Sequence, residues 1–269
     1  MDISAMAKLT FSANLGFLWT DRPLDAAIYA ACDAGFDAVE CHWPYDIDVE
    51  TVNTALSDTG LKMLGLNTIR GNAGENGLLA LAGREDDAKK AIDQAIAYAV
   101  ATDTQNIHAM AGFASGKQAQ DCFVTNLSYA CDMAARNHKT ILIEPLNHFD
   151  APDYFLSDTH HAKDIIQQVG KDNLKLMFDC YHVQIMQGDI CRQLETDMDI
   201  IGHIQFASVP DRGAPDNGEI NYAYIFEHIK SLGYRQPVGA EYKPAGGDTN
   251  ASLGWLAAYR AKDPERQNS

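Results

Sequence analysis

A chain of 269 residues that is 46% hydrophobic and 22% charged can bury one large core or two small ones. Its 37 acidic against 21 basic residues leave a formal charge of −16, which repels nucleic acid and anionic membrane surfaces at long range. There is no apolar run of bilayer-spanning length, and six scattered cysteines without a C-x-x-C pair (Cys32, Cys41, Cys122, Cys131, Cys180, Cys191) suit a reducing compartment rather than a disulfide framework. The opening MDISAMAK lacks the apolar stretch of a secretory signal, so a cytoplasmic protein is expected, with a ragged start over 1–7 and a tail over 262–269.

Along the chain, short apolar runs alternate with segments of helical periodicity. The predicted strands are Leu9 to Ala13, Ala38 to His42, Lys62 to Asn67, Asn106 to Met110, Thr140 to Glu144, Leu174 to Asp179, Gly202 to Phe206 and Pro237 to Glu241. Helices are expected to begin near Pro23, Asp48, Glu85, Gly116, Ser157, His182, Tyr222 and Ser252, with Gly35, Gly60 and Gly233 at C-terminal caps. Eight strand-then-helix units with no linker predict a single-domain (β/α)8 TIM barrel. A doubly wound open sheet is the alternative. It would want a glycine-rich phosphate turn after the first strand, where only Gly16 stands.

In such a barrel, chemistry gathers at the carboxyl ends of the strands. Those ends read Asn14, Glu40 with His42, Asn67, His108, Glu144, Asp179, Gln205 and Glu241. The last four come from neighbouring strands five to eight and point to one centre, where three carboxylates would repel one another without a cation. All-oxygen ligation favours Mg²⁺ or Mn²⁺ over structural zinc. Arg212, in the loop after strand seven, suits a substrate carboxylate because its planar fork binds two oxygens at once. Asn67, His108, His182, Arg70 and Lys243 are the further candidate substrate contacts. Ser208 lacks a G-x-S-x-G elbow, which argues against nucleophilic hydrolysis.

The segments LNTIRGNAGENGLLAL (66 to 81), NIHAMAG (106 to 112), ILIEPLN (141 to 147), MFDCYHVQIMQGD (177 to 189), VPDRGAPDNGEINY (209 to 222) and GAEYKPAGGDTNASLGW (239 to 255) resemble the hydroxypyruvate isomerase family of xylose-isomerase-like barrels. The likeness spans nearly the whole chain, with departures at Thr102 to Gln105, where relatives usually have a glycine-containing turn, and at Ala82, in place of a frequent proline. The resemblance implies a Mg²⁺- or Mn²⁺-dependent isomerisation of hydroxypyruvate or a 2-oxo-tetronate. It makes Glu144 and Glu241 both metal ligands and the acid/base pair, has Asp179 and Gln205 complete the metal site, and turns Arg212 towards the substrate. The competing functions are a ketose 3-epimerase, an abasic-site endonuclease with several zinc ions, and a non-catalytic binding barrel. The expected partner is a small oxo acid, with no nucleic acid or membrane partner, and self-association is left open.

Overall fold

Parallel strands cannot be joined by tight turns, so each apolar run must be followed by a crossover that brings the chain back to the same end of the sheet. The computed structural model, which describes residues 8–261, shows that pattern eight times. The expected ragged start and tail lie outside the described residues. The strands are β1 (Phe11–Asn14), β2 (Ala38–Glu40), β3 (Gly65–Asn67), β4 (Asn106–His108), β5 (Thr140–Ile143), β6 (Leu174–Asp179), β7 (Ile201–Phe206) and β8 (Val238–Ala240). Every pairing is parallel, in the order β2-β1-β8-β7-β6-β5-β4-β3. The ring closes between β2 and β3 through a bridge from Val39 to Met63 and backbone bonds from Leu64 N–H to Val39 O (2.8 Å) and Asn67 N–H to His42 O (2.8 Å). The chain is a single-domain (β/α)8 barrel, as the alternation predicts.

The crossover helices are α1 (Leu24–Asp33), α2 (Val49–Thr59), α3 (Glu85–Ala101), α4 (Gly116–Ala135), α5 (Thr159–Val169), α6 (Cys180–Met186), α7 (Ile190–Asp197), α8 (Tyr222–Ser231) and α9 (Gly254–Ala261). In α3 the buried residues are Ala88, Ala91, Ile92, Ala95, Ile96 and Ala99, the three-and-four spacing of a single helical stripe, and alanines let it lie close on the barrel. Asp48 and Asp158 accept from the first-turn amides of α2 and α5, and both helices end on a left-handed glycine, Gly60 and Gly170.

Two departures from the expected helices have local causes. The helix expected from His182 is two helices, because Gly188 and Asp189 are both left-handed and break it between β6 and β7. The last helix begins at Gly254 rather than Ser252, after two short 3₁₀ turns at Ala245–Gly247 and Asn250–Ser252. Before β4, Asp103 takes a φ of 50°, a region that Asp enters more readily than most residues.

One aromatic cluster ties the first strand to the last helices. Phe11 meets Phe226, Trp255 and Tyr259 edge-on at 5.0–5.2 Å between ring centroids, and Phe206 joins Phe226 and Trp255 at 5.0 and 5.3 Å. Phe11 is buried at the start of β1, whereas the polar strand ends lie past its other end. Replacing Phe11 by Ala is therefore expected to cost about 3–5 kcal/mol in urea denaturation, while cation binding by the folded protein stays unchanged.

Candidate active site

Glu144 follows β5, Asp179 ends β6, Gln205 is the penultimate residue of β7 and Glu241 follows β8, all at the same end of the barrel. All four are at most 5% exposed. Asp179, Gln205 and Glu241 each have a polar atom held by a hydrogen bond, and Asp179, Gln205 and Glu144 each have one that is bare. Asp179 caps α6 by accepting the Tyr181 N–H on Oδ1 at 2.9 Å, while its Oδ2 has no hydrogen-bond partner among the described residues. Gln205 gives its Nε2 to Glu40 Oε2 at 2.8 Å and to Glu241 Oε1 at 3.3 Å, and its Oε1 is left bare. Glu144 Oε1 is also without a partner. On Glu241, Oε1 accepts from Asn14 Nδ2 at 2.8 Å and lies 3.4 Å from His42 Nε2, while Oε2 faces Arg212.

Bare buried oxygens are costly unless something positive completes them. Three such atoms, drawn from two carboxylates and an amide, with a third carboxylate beside them, fit a hard divalent cation. Glu144, Asp179 and His182 offer ligand atoms that all lie within 4.8 Å of one another. His182 nonetheless differs in kind. Its Nδ1 accepts the Asn147 backbone N–H at 2.9 Å, which puts the ring proton on Nε2. That Nε2–H lies 3.6 Å from Asp179 Oδ2 and 3.9 Å from Glu144 Oε1, so it is a proton donor at the site and has no lone pair for a metal. Burial depresses the His182 imidazole to about 3, helped by the nearby Arg212 charge, and it is neutral at physiological pH. His108 is likewise pushed down to about 4 by burial, with Nδ1 3.6 Å from Glu144 Oε2.

The carboxylates respond to burial and to one another. Burial raises Glu144 well above the usual carboxylate range, and the charges of Glu241 and Asp179 add to it. Asp179 is pushed up to about 7 by burial and by Glu241. For Glu241 burial works in the same direction, but the Arg212 guanidinium and His42 outweigh it and hold the group down at about 2.

Arg212 stands where the sequence puts it, above the centre, and is committed to protein carboxylates. It reaches Glu241 Oε2 at 2.5 Å, Asp150 Oδ2 at 3.3 Å and Asp179 Oδ2 at 3.6 Å, with the rings of Phe17 and Tyr181 against its guanidinium at 4.6 and 4.9 Å. Above it opens a cavity of about 410 Å³ whose walls include His42, Trp43, Asn67, Arg70, Glu144 and His182. Arg70 lies over the Trp43 ring at 4.1 Å. Among the described residues no carboxylate is within ion-pair distance of it. Lys243 corrects the expectation for it: its side chain is exposed and does not line the cavity. The chain turns there, with Glu241 and Tyr242 buried and the Lys243 N–H bonded to Arg212 O at 2.7 Å.

Glu40, a strand end with no role expected from the sequence, meets two residues that the strand-end pattern does not single out, His203 and Ser12. His203 Nε2 is 3.0 Å from Glu40 Oε1, and Ser12 Oγ donates to that oxygen at 2.5 Å. The available signal was spacing, because His203 is two residues before Gln205 on β7 and therefore shares its face.

Removing Arg212 leaves Glu241 as an unpaired buried charge. In chelator at pH 7, Arg212→Met is expected to lose about 3–5 kcal/mol by urea denaturation. Because Arg212 holds the folded pKa of Glu241 near 2, below its ordinary 4.5, the stabilisation is complete above 4.5 and is lost as pH falls towards 2. The gap between the two proteins should shrink over that window, and a gap that widens on acidification would contradict the pairing.

With the geometry in view, the similarities acquire a physical meaning. A model of the xylose isomerase-like TIM barrel family matches residues 28–259. The chain is 41% identical to 2-oxo-tetronate isomerase from Cupriavidus necator, covering 93% of this chain and 98% of that protein. It is 39% identical to hydroxypyruvate isomerase from Escherichia coli, covering 94% of this chain and 100% of that protein. Its fold matches a crystal structure titled AP endonuclease, family 2, from Brucella melitensis, with a TM-score of 0.90 at 38% identity over 94% of this chain and 99% of that one. A D-allulose 3-epimerase from Methylomonas sp., at 18% identity over 95% of this chain and 98% of that one with a TM-score of 0.79, shares the fold alone. The chain thus belongs to the hydroxypyruvate isomerase family of xylose isomerase-like TIM barrels and is an isomerase.

Proposed function

We propose that the protein is a divalent-metal-dependent isomerase that moves a carbonyl between adjacent carbons of a small hydroxylated 2-oxo acid. The candidate reactions are hydroxypyruvate to tartronate semialdehyde and 2-oxo-tetronate to 3-oxo-tetronate. The observation that carries this reading is the convergence of Glu144, Asp179, Gln205 and Glu241, with three bare buried oxygens among them, beneath a small cavity.

These four residues would hold Mg²⁺ or Mn²⁺, and the cation when bound supplies Lewis-acid stabilisation of the oxyanion charge that develops as the carbonyl migrates. The remaining chemistry falls to the chain's own groups. A proton leaves the hydroxyl-bearing carbon and one returns to the former carbonyl carbon, and Glu144 and Glu241 are the acid/base pair for those transfers. The hydroxyl proton must also move from one oxygen to the other. His182 is suited to this, because its neutral ring, held through Nδ1 by Asn147, presents Nε2–H to the site. His108 and Asn67 line the same cavity as substrate contacts.

The substrate carboxylate needs a positive partner. Arg70 and Arg212 are the lysine or arginine side chains lining the cavity, and Arg212 already serves three protein carboxylates. Arg70, stacked on Trp43 and without an acid of its own among the described residues, is the carboxylate anchor. Partial burial lowers its pKa without taking it out of the charged form. This favours an acid over the neutral sugar of an epimerase, and the net charge of −16 disfavours DNA.

Two outcomes are expected. Proton NMR in D₂O should show deuterium entering hydroxypyruvate or a 2-oxo-tetronate with Mg²⁺- or Mn²⁺-loaded protein and not after chelation. Glu241→Gln should lower turnover by about 10²–10⁴-fold, and full activity of metal-free protein would sink the proposal. Separately, Arg70→Leu should raise KM for the acid by roughly tenfold or more, as loss of a charge-assisted bond of about 1.5–3 kcal/mol requires, with kcat much less affected. An unchanged KM would remove Arg70 from the substrate site.

A further inference from the structure

We propose that Glu40, held by His203 and Ser12, is a positioning residue that fixes which end of the Gln205 amide faces the cation. The inference rests on the metal-dependent reading above and concerns residues to which that reading gives no part.

A carboxylate offers a cation two equivalent oxygens, whereas a glutamine does not. Its oxygen is a ligand and its NH₂ is a repulsive dipole end of nearly the same size, so a glutamine ligand works only if something decides its orientation. Here the decision is chemical. Gln205 Nε2 lies 2.8 Å from Glu40 Oε2 and 3.3 Å from Glu241 Oε1. Ionised carboxylates only accept, so an amide turned the other way would set its oxygen against two negative groups. The orientation with Nε2 on Glu40 leaves Oε1 bare, as observed.

Glu40 is itself immobilised. Its other oxygen takes the Ser12 Oγ–H at 2.5 Å and lies 3.0 Å from His203 Nε2. Glu40, His203, Gln205 and Ser12 are 4%, 3%, 2% and 0% exposed, so solvent does not compete for these contacts. The group crosses the barrel interior, with Glu40 on β2, Ser12 on β1, and His203 and Gln205 on β7. Between them β8 contributes Gly239, paired in register with Gln205. A Cβ at Gly239 would stand 2.3 Å from Glu40 Oε1, 2.8 Å from Gln205 Cγ and 3.0 Å from His203 Nε2, so this stave is reduced to a hydrogen atom where the group passes. His203 also supplies the partner that keeps a fourth buried carboxylate from acting as a competing ligand.

The test is Mn²⁺ binding to the purified full chain, read from the EPR signal of free Mn²⁺, in the wild type, Glu40→Ala, Glu40→Gln, and the double variant Glu40→Ala with Gln205→Glu. Loss of a partner that orients a metal ligand typically weakens metal affinity about 10–100-fold, and that is the expectation for Glu40→Ala. Glu40→Gln keeps an acceptor for Gln205 Nε2 and should retain most of the affinity. The double variant should regain it, because a carboxylate at 205 needs no orienting partner and no longer faces Glu40. A purely structural Glu40 would lower thermal stability without this pattern. Folded Glu40→Ala that binds Mn²⁺ as tightly as the wild type, or a double variant no better than Glu40→Ala, overturns the proposal.

If the alanine variants do not fold, the wild type still decides. The Gln205 side-chain NH₂ protons, assigned by their loss in Gln205→Glu, should be protected from solvent exchange both with and without Mg²⁺, and free exchange in the Mg²⁺-loaded protein overturns the role. A wild type that binds no Mn²⁺ overturns this inference together with the metal-dependent function, whereas equal binding by wild type and Glu40→Ala overturns the positioning role alone.

Discussion

Three carboxylates held in a water-poor rim repel one another with energies that water would otherwise screen away, and the arrangement around them follows from that repulsion. Glu144 and Asp179 are raised by burial and then by this repulsion, while Glu241 is held down because Arg212 and His42 lie against it. The two histidines deepest in the site are kept neutral by burial and so do not relieve the charge. Arg212 spans Glu241, Asp179 and Asp150 and is the cationic side chain that joins these acids directly. On the proposed reading, a divalent ion would supply the compensation that one guanidinium leaves incomplete.

The barrel solves a second problem, that of aiming flexible side chains, by tying one polar atom of a site residue into the scaffold, which in Asp179 and Gln205 leaves the other atom open. Asp179 uses one oxygen to begin α6, so the strand end and the helix start fix the same carboxylate. Gln205 uses its nitrogen on Glu40, and Glu241 uses one oxygen on Asn14. His182 follows the same rule, with Nδ1 taken by Asn147 and Nε2–H left to the site. In each case the bond that positions the group also determines which atom is presented. This is how a constellation assembled from separate strands is held without sequence-local contacts.

The barrel and the gathering of Glu144, Asp179, Gln205 and Glu241 at one rim are legible in the sequence for a simple reason. Strands and their polar last residues leave a period and an end that can be read locally, and parallel topology then gathers those ends on one rim. The break between α6 and α7 was less visible, because Asp189 adopts a left-handed backbone that residue type only weakly announces. Lys243 was misplaced because nothing in the local string shows that the buried Tyr242 and the Arg212 carbonyl turn the chain there. The Glu40, His203 and Ser12 group was passed over because its contacts cross the barrel from β2 and β1 to β7. Sequence spacing can place His203 on the face of Gln205, but it cannot say that a strand three places away reaches it.

Charge also constrains which molecule such a site accepts. The proposed oxo acid would be an anion approaching a protein of net charge −16 and a rim of carboxylates, so long-range attraction would not bring it in. Its acceptance must be decided at short range, by positive groups that are not already satisfied. Arg212 is largely consumed by its three acids, which leaves it to neutralise the rim rather than to receive a second anion. Arg70 sits on the opposite terms: it is exposed at the mouth and fixed in place by the Trp43 ring, whose indole N–H is itself bonded to Thr68 O at 3.0 Å. A stacked guanidinium loses less freedom on binding a carboxylate than a free one does, so more of that bond's energy remains for affinity. On the proposed reading, two arginines with different neighbours would divide the work, one balancing the protein's own charge and the other meeting the substrate's.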